Sequence, residues 1–282
     1  MTPARLTLLE VLGRAAAFLE RQGSGSPRLD AELLLAHGLG IRRLDLYLQH
    51  DRALTEPELE PYRRLIARRG RGEPVAYLTG HKEFMTLDFE VTPAVLVPNP
   101  DTETLVQRAV EWGRGRPGRI RIADVGTGSG CIAVALAHYL PAADLEATDD
   151  DEAALHIAAR NVERHVLGDR VRLSRGDLLA AVEGPLDAVV ANLPYVAAGA
   201  TLPAEVAAQP AHALFGGATG GELIERLLVE AAPRLAPGGV TLVEADPAIM
   251  PVLAELAGRS YQGARVHRDL GGHDRVLEAW RS

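Results

Sequence analysis

Two rhythms of apolar residues divide this chain. From Pro3 to about Thr79 apolar side chains recur at helical intervals: Leu8, Leu9, Leu12, Ala15, Ala16 and Leu19 share one face, and Gly23-Ser24-Gly25-Ser26-Pro27 breaks it. The spacing predicts a second helix over 29–39 and a short third over 41–48. Thr55 and Glu58 form a capping box, each side chain reaching the other's backbone N–H, ahead of a helix through Tyr62, Leu65 and Ile66. A bundle of four or five short helices is expected. Beyond it, Leu87-Asp88-Phe89-Glu90-Val91 alternates, and with the segment before it predicts a hairpin bridging two domains. An extended piece at 95–98 and a helix capped near Asp101 follow. Short apolar runs near 120–124, 144–149, 170–174, 187–191, 239–244, 263–268 and 273–280 then alternate with helical stretches. Such alternation predicts a parallel sheet covered by helices on both faces, with a ligand at the carboxyl ends of its strands. The expected division is a helical domain over 1–79, a hairpin linker over 80–100 and an α/β domain over 101–282.

Those strand ends carry the candidate chemistry. Arg121-Ile122-Ala123-Asp124 leads into a turn holding Gly126, Gly128 and Gly130, and a small-residue helix follows from about Ser129. Glycines at such a junction permit positive φ and admit a ligand where a Cβ would collide. The helix start adds unpaired N–H groups and the positive end of a dipole. This is a nucleotide-type pocket. A dinucleotide fingerprint requires Gly-x-Gly-x-x-Gly, and counted from Gly126 its last position falls on Cys131. The pattern present, Asp124-x-Gly126-x-Gly128-x-Gly130, resembles motif I of S-adenosylmethionine-dependent methyltransferases. That resemblance implies a cofactor cradle of Asp124, Gly126, Thr127, Gly128, Ser129 and Gly130, with Asp124 near the methionine part. Leu145 to Asp149 reads as a second strand, whose terminal Asp149 would accept bonds from both ribose hydroxyls. Val171 to Asp177 resembles the strand whose last aspartate reads the adenine amino group, with Leu178 flanking the ring.

Composition narrows the class. With 282 residues, 47% of them hydrophobic, the chain can bury a core without covalent staples. Its one cysteine, Cys131, excludes an internal disulfide and reads as a small packing residue. No basic-then-apolar leader opens the chain and no apolar run is long enough to cross a bilayer, so a cytoplasmic protein without a membrane partner is expected. The histidines lack ligand spacing, and no metal is expected. Lys82, the only lysine, is read as a surface residue. A net charge of −8 argues against broad affinity for nucleic-acid backbone. The excess acid lies late: residues 1–80 hold 12 Arg or Lys against 10 Asp or Glu, and 81–282 hold 18 against 28. The clusters Arg42-Arg43 and Arg63-Arg64 with Arg68, Arg69 and Arg71 read as solvated helix faces, with a docking surface for an acidic partner as the alternative.

The fourth predicted strand runs directly into Asn192-Leu193-Pro194-Tyr195. Alone, such a tetrapeptide is a turn. After a glycine loop and two strand-end aspartates it resembles the Asn-Pro-Pro-Tyr signature of amino-methyltransferases, which methylate an NH₂ on an sp² carbon. That nitrogen's lone pair is delocalised, so it is a poor nucleophile. The Asn192 side-chain oxygen and the Leu193 carbonyl would each take one N–H, aiming the nitrogen at the methyl and favouring pyramidalisation. No strong base is required, because the proton can leave after transfer. Tyr195 would offer a flat face to the planar acceptor.

Further motifs bring the resemblance close. Glu73-Pro74-x-x-Tyr77-x-x-Gly80, Lys82-Glu83-Phe84, Val95-Leu96-Val97-Pro98, Pro100-Asp101-Thr102-Glu103, Ala213 to Gly217 with Gly220, and Asp274-Arg275 join those above. Over nearly the whole chain they resemble the peptide chain release factor N5-glutamine methyltransferases. The resemblance implies an α/β fold: a Rossmann-like class I methyltransferase domain with a small N-terminal helical bundle. It implies methylation of the glutamine amide in the Gly-Gly-Gln loop of bacterial class 1 release factors, which the bundle would dock, by a monomer. Four departures stand out. Leu193 replaces the first proline and loses its fixed φ, though Pro194 still biases residue 193 toward extended backbone. Asn99 replaces an arginine and cannot reproduce its bidentate contacts. Met85-Thr86 replaces an aromatic-Gly pair, and Gln209 a glutamate before Pro210. Asn-Leu-Pro-Tyr is also the form of ribosomal-RNA adenine N6-dimethyltransferases. An adenine-N6 methyltransferase of RNA or DNA is therefore the first alternative, disfavoured by the acidic larger domain and the lack of a basic stripe with interleaved aromatics. A catalytically weak cofactor-binding paralogue is the second.

Overall fold

A computed structural model describes residues 6–281. The elements begin with α1 (Leu8–Arg21), α2 (Pro27–Leu39), α3 (Arg43–Leu48), α4 (Glu56–Arg69) and α5 (Val75–Thr79). A hairpin of β1 (His81–Phe84) and β2 (Leu87–Glu90) leads to α6 (Thr102–Arg114). Then come β3 (Ile120–Val125), α7 (Cys131–Tyr139), β4 (Ala143–Asp149), α8 (Glu152–Arg164), β5 (Val171–Arg175) and β6 (Leu186–Ala191). Two short strands, β7 (Val196–Ala197) and β8 (Phe215–Gly217), flank α9 (Ala204–Ala207). The chain finishes with α10 (Glu222–Ala231), β9 (Leu235–Glu244), α11 (Met250–Ser260), β10 (Gly263–Arg268) and β11 (Asp274–Trp280).

Contacts divide the chain into Met1–Gly80 with Leu202–Ala208, and His81–Thr201 with Gln209–Ser282. In the first unit the helical stripes meet around Leu8, Leu12, Leu19, Leu34 and Leu35, all sealed from solvent. The capping box at Thr55 forms, its N–H donating to the Glu58 carboxylate at 2.9 Å. A second box at Thr7 and Glu10 starts α1. Pro27 opens α2 rather than merely ending the helix before it, since a missing N–H costs nothing in the first turn. The unit is not continuous in sequence. Glu205, on α9, pairs with the buried Arg69 guanidinium at 2.6 Å, and Asp30 pairs with it at 2.8 Å. A guanidinium out of water needs such partners, and only the folded chain reveals that one comes from residue 205. The hairpin expected to link domains clusters instead with the second unit, where the Glu90 N–H donates to the Asn161 side chain at 2.8 Å.

The second unit is a seven-stranded sheet in the order β10-β11-β9-β6-β3-β4-β5. Strands β9, β6, β3, β4 and β5 run parallel, while β11 lies antiparallel between β9 and β10. The parallel sheet expected from the sequence is present, with the one exception of β11, whose direction is reversed. The connection between β10 and β11 is far too short for a crossover, so the two form a hairpin. Alternate residues of a strand face opposite sides. Ile120, Ile122, Ala188 and Val190 therefore pack with α6, α7 and α8, while Ala123, Val125, Val189 and Ala191 pack with α10 and α11. Asp101 does not cap α6: its carboxylate pairs with Arg275 at 3.3 Å instead.

The hairpin turn explains one departure. Met85 and Thr86 take φ of 50° and 61°, left-handed values that two-residue hairpin loops demand and glycine usually supplies. The Tyr139 hydroxyl donates to the Met85 carbonyl at 2.8 Å, and the Met85 N–H donates to Glu103 at 2.8 Å, holding the turn without glycine. A similar conformation ends α8, where the Val166 and Leu167 N–H groups donate to the Glu163 and Val162 carbonyls. That pattern favours glycine at its left-handed position, yet Val166 stands there at φ 56°, almost wholly exposed. Val166→Gly is expected to stabilise the fold by about 0.5–1 kcal/mol, the relief of left-handed strain exceeding glycine's extra unfolded entropy. A higher urea midpoint at unchanged slope is the expected reading.

Candidate active site

Register assembles the site. Val125 at the end of β3 pairs with Thr148 of β4 on one side and Ala191 of β6 on the other. Whatever follows each strand must therefore meet at one edge of the sheet. Thr127, Asp149, Asp177, Leu178, Asn192 and Leu193 line a cleft there that is open to solvent. Gly126, Gly128, Ser129 and Pro194 line it too, whereas Asp124, Gly130 and Tyr195 do not.

The glycine loop is held from below by a carboxylate. Asp124 is fully buried; its Oδ2 accepts from the Thr127 hydroxyl at 2.6 Å and the Ala133 N–H at 3.0 Å. Oδ1 is buried without a hydrogen-bond partner. Burial pushes this carboxyl up to about 7, against the two hydrogen bonds and with help from the Asp149 charge. Gly126 sits at φ 72°, and a Cβ there would lie 2.7 Å from Leu193 Cδ2, so the loop and the tetrapeptide after β6 need this glycine to close on each other. Gly130, at φ 78°, caps α7, which begins at Cys131, two residues later than the sequence suggested; its hydrogen faces Ala158, where a Cβ would press at 3.2 Å. The Cys131 thiol is buried and pushed up to about 12, which leaves it inert.

The other strand ends complete the cleft. Asp149 Oδ2 accepts from the Gly128 N–H at 2.8 Å and Oδ1 from the Asp151 N–H at 3.0 Å. Each oxygen keeps a further lone pair for a ligand. Burial raises the Asp149 pKa while those two N–H groups lower it. Asp177 is exposed and pairs with Arg226 at 2.6 Å. Leu178 adopts φ 49°, costly for a leucine, and is pinned by the Thr148 hydroxyl donating to its carbonyl at 3.0 Å. Beyond β6, the Asn192 Nδ2 donates to the Thr102 hydroxyl at 2.9 Å. The Leu193 side chain is buried against the glycine loop. Tyr195 is turned from the cleft. Its hydroxyl donates to Glu244 Oε1 at 3.1 Å and its ring packs on the apolar core, so the flat face expected for the acceptor is not part of the lining. Burial raises the Tyr195 pKa well above the phenol range.

Several residues that the sequence reading gave no place in the cleft contribute to it. Asn99, Thr102, Ile132 and His212 also line the cleft, and His212 Nε2 stands 3.3 Å from Asp151. Asn99, in place of an arginine, accepts the Asp101 N–H at 3.1 Å and so shapes the approach to α6. Gln209, in place of a glutamate, still accepts the Val97 N–H at 2.9 Å. The carboxylate of Glu244, fully buried at the end of β9, had one visible signal: it is the one charged residue closing the uncharged run Val240-Thr241-Leu242-Val243.

Comparison with known proteins agrees with this architecture. Residues 10–80 match the family described as PrmC N-terminal domain, and 114–224 the methyltransferase small domain. The chain is 42% identical over 282 residues to the release factor glutamine methyltransferase of Moorella thermoacetica, covering 98% of this chain and 99% of that one. It is 40% identical over 281 residues to that of Rhodopirellula baltica, covering 96% and 95%. Among solved structures, a methyltransferase from Pyrococcus furiosus superposes with a TM-score of 0.54 at 23% identity, over 77% of this chain and 97% of that one. The T. thermophilus 16S rRNA N2 G1207 methyltransferase, in complex with AdoMet and guanosine, superposes at 0.53 and 20% identity over 72% and 50%. Both likenesses concern the fold.

The carboxyl beneath the loop gives a pH signature. With a folded pKa near 7 against an unfolded value near 3.8, Asp124 binds more protons in the folded state between those values. Its contribution is thus present at low pH and lost as pH rises through 7. Without ligand, raising the pH from 6 to 8.5 should remove about 1 kcal/mol from the wild-type protein, and Asp124→Asn should lack that component. Urea unfolding of both proteins at the two pH values measures it.

Proposed function

The chain belongs to the family of release factor glutamine methyltransferases, and we propose that it moves the methyl of S-adenosylmethionine onto the glutamine side-chain amide of the Gly-Gly-Gln loop in bacterial class 1 release factors. The observation that carries this reading is the meeting of Asn192 and Leu193 with the glycine loop at one cleft, the Asn192 NH₂ already engaged by Thr102. The Asn192 Oδ1 is thereby left as an acceptor for an N–H of the substrate.

The residues present suit the cofactor. Asp149 keeps lone pairs for a diol, Leu178 gives an apolar wall beside Asp177, and Asp124, sealed beneath the loop, holds Thr127 and the start of α7 in place around the cleft. Bound in this cleft, S-adenosylmethionine supplies an electron-poor methyl on a cationic sulfur. The protein's part is positional. Asn192 Oδ1 and the Leu193 carbonyl each accept one amide N–H, which restrains the nitrogen and favours its pyramidal form as positive charge develops. Leu193, seated on the glycine loop, excludes water from one side. No group need remove the proton beforehand, because the methylated nitrogen is acidic enough to release it to solvent.

The helical unit is read as the docking surface for the factor. It carries a groove lined by Val11, Phe18, Leu59, Tyr62 and Ile66, flanked by Arg14 and Arg63. Among the described residues no helix is long and apolar enough to cross a membrane. A cytoplasmic enzyme acting as one copy, without nucleic acid, completes the proposal.

Incubation with a release factor should add one methyl to the Gly-Gly-Gln peptide by mass spectrometry, and total RNA should gain none. Asn192→Ala should lower kcat by about 100- to 1,000-fold while calorimetric affinity for S-adenosylmethionine stays within a few-fold. Methylated RNA beside an unmodified factor would overturn the proposal.

A further inference from the structure

The two short strands β7 and β8 stand apart from the main sheet, yet they bear directly on the tetrapeptide after β6. Strand β7 starts immediately after Tyr195 and pairs in parallel with β8, Val196 beside Phe215 and Ala197 beside Gly217. The Val196 N–H donates to the Leu214 carbonyl at 2.9 Å, and the Ala198 N–H donates to the Gly217 carbonyl at 2.8 Å. Each backbone thus fixes the other.

Gly216 and Gly220 are buried at this junction. A Cβ on Gly216 would overlap the Pro194 carbonyl oxygen and stand 2.9 Å from its carbon. A Cβ on Gly220, whose φ is 90°, would overlap the Tyr195 carbonyl oxygen and stand 3.0 Å from its carbon. The carbonyls of residues 194 and 195 can lie where they do only because both positions lack a side chain. A third glycine meets the residue before them, since a Cβ on Gly126 would lie 2.7 Å from Leu193 Cδ2. Two segments therefore grip Leu193-Pro194-Tyr195: the loop after β3, and the stretch from Leu214 to Gly220.

The grip reaches the acceptor through one peptide bond. The ring of Pro194 presets its φ. With its carbonyl also seated against Gly216, the peptide joining Leu193 to Pro194 has little freedom to turn, and the Leu193 carbonyl belongs to that peptide. We propose that Gly216 and Gly220 are positioning residues, whose bare backbones seat the Pro194 and Tyr195 carbonyls and so aim the Leu193 carbonyl, and Asn192 before it, at the acceptor nitrogen. The inference rests on the reading of Asn192 and Leu193 given above. Neither glycine lines the cleft, whereas His212, Ala213 and Leu223 around them do. A proline at 193 would restrain the chain locally; in this chain the restraint comes from glycines further along the sequence. The motif of Ala213 to Gly217 with Gly220 thereby gains a physical role.

The test uses the full-length protein and a release factor in single-turnover methyl transfer. Gly216→Ala and Gly220→Ala should each lower the rate by about 100-fold, the cost of misplacing a reacting group by about 1 Å. Calorimetric affinity for S-adenosylmethionine should stay within a few-fold of wild type. Gly217→Ala separates positioning from simple damage. Its φ of 123° makes alanine strained there too, but the Cβ would meet Glu222 Cδ at 2.5 Å, a side chain that can swing aside, and not the tetrapeptide. That variant should lose stability in urea yet keep a rate within a few-fold of wild type. A wild-type rate in Gly216→Ala or Gly220→Ala, or an equal loss in Gly217→Ala, would overturn the proposal. Amide hydrogen exchange in the wild-type protein requires no variant to fold. The Val196 and Ala198 N–H groups should exchange at least about 100-fold more slowly than unprotected amides, and free exchange at both would also overturn it. A wild-type protein that leaves the glutamine unmodified refutes the functional reading and this inference with it, whereas the outcomes above refute the inference alone.

Discussion

The parallel register of β4, β3 and β6 is the constraint on which the rest depends. Pairing Val125 with Thr148 and Ala191 brings three chain reversals to one edge, separated only by the spacing of neighbouring strands. A shift of the register would carry the loop after β3 away from Asp149 and Asn192 and exchange the two faces of each strand. Because Ile120 and Ile122 face one helical layer and Ala123 and Val125 the other, burial on both sides forbids such a shift. The precision of the cleft is inherited from the core.

Two buried carboxylates then do different work at that edge. Asp124 ties the glycine loop to the start of α7 through Thr127 and Ala133. Glu244 closes β9 beneath the tetrapeptide that follows β6 and accepts from the Tyr195 hydroxyl. Each is desolvated, and each retains an oxygen without a partner. Leaving buried acceptors unsatisfied is destabilising, and such sites concentrate where a protein binds or transforms something. The strained backbone of Leu178 belongs to the same class of feature.

Much of this was legible beforehand because local chemistry dictates it. The glycine loop, Asp149, Asp177 and the Asn192 tetrapeptide lie at strand ends, where alternation of apolar and polar residues marks the boundaries. The capping box at Thr55 needs only residues within one helical turn. Where reading failed, distant partners had intervened. Asp101 has the chemistry of a cap, but Arg275 competes for its carboxylate from the last strand. Tyr195 has the chemistry of a stacking face, but Glu244 draws its hydroxyl inward. Glu205 looks like a surface residue of a loop until Arg69 is found beside it.

The sequence by itself determined the helical bundle, the strand order of chemistry along the chain and the identity of the groups offered to a ligand, since periodicity, caps and glycine conformations are decided over a few residues. Only the tertiary structure decided that β11 inserts antiparallel beside β9, that residues 202–208 return to the helical unit, that Thr102 meets the Asn192 amide and that Glu244 meets the Tyr195 hydroxyl. Those outcomes depend on which polar groups find one another across 49, 90 and 136 residues of chain, a matter of packing that no local pattern encodes.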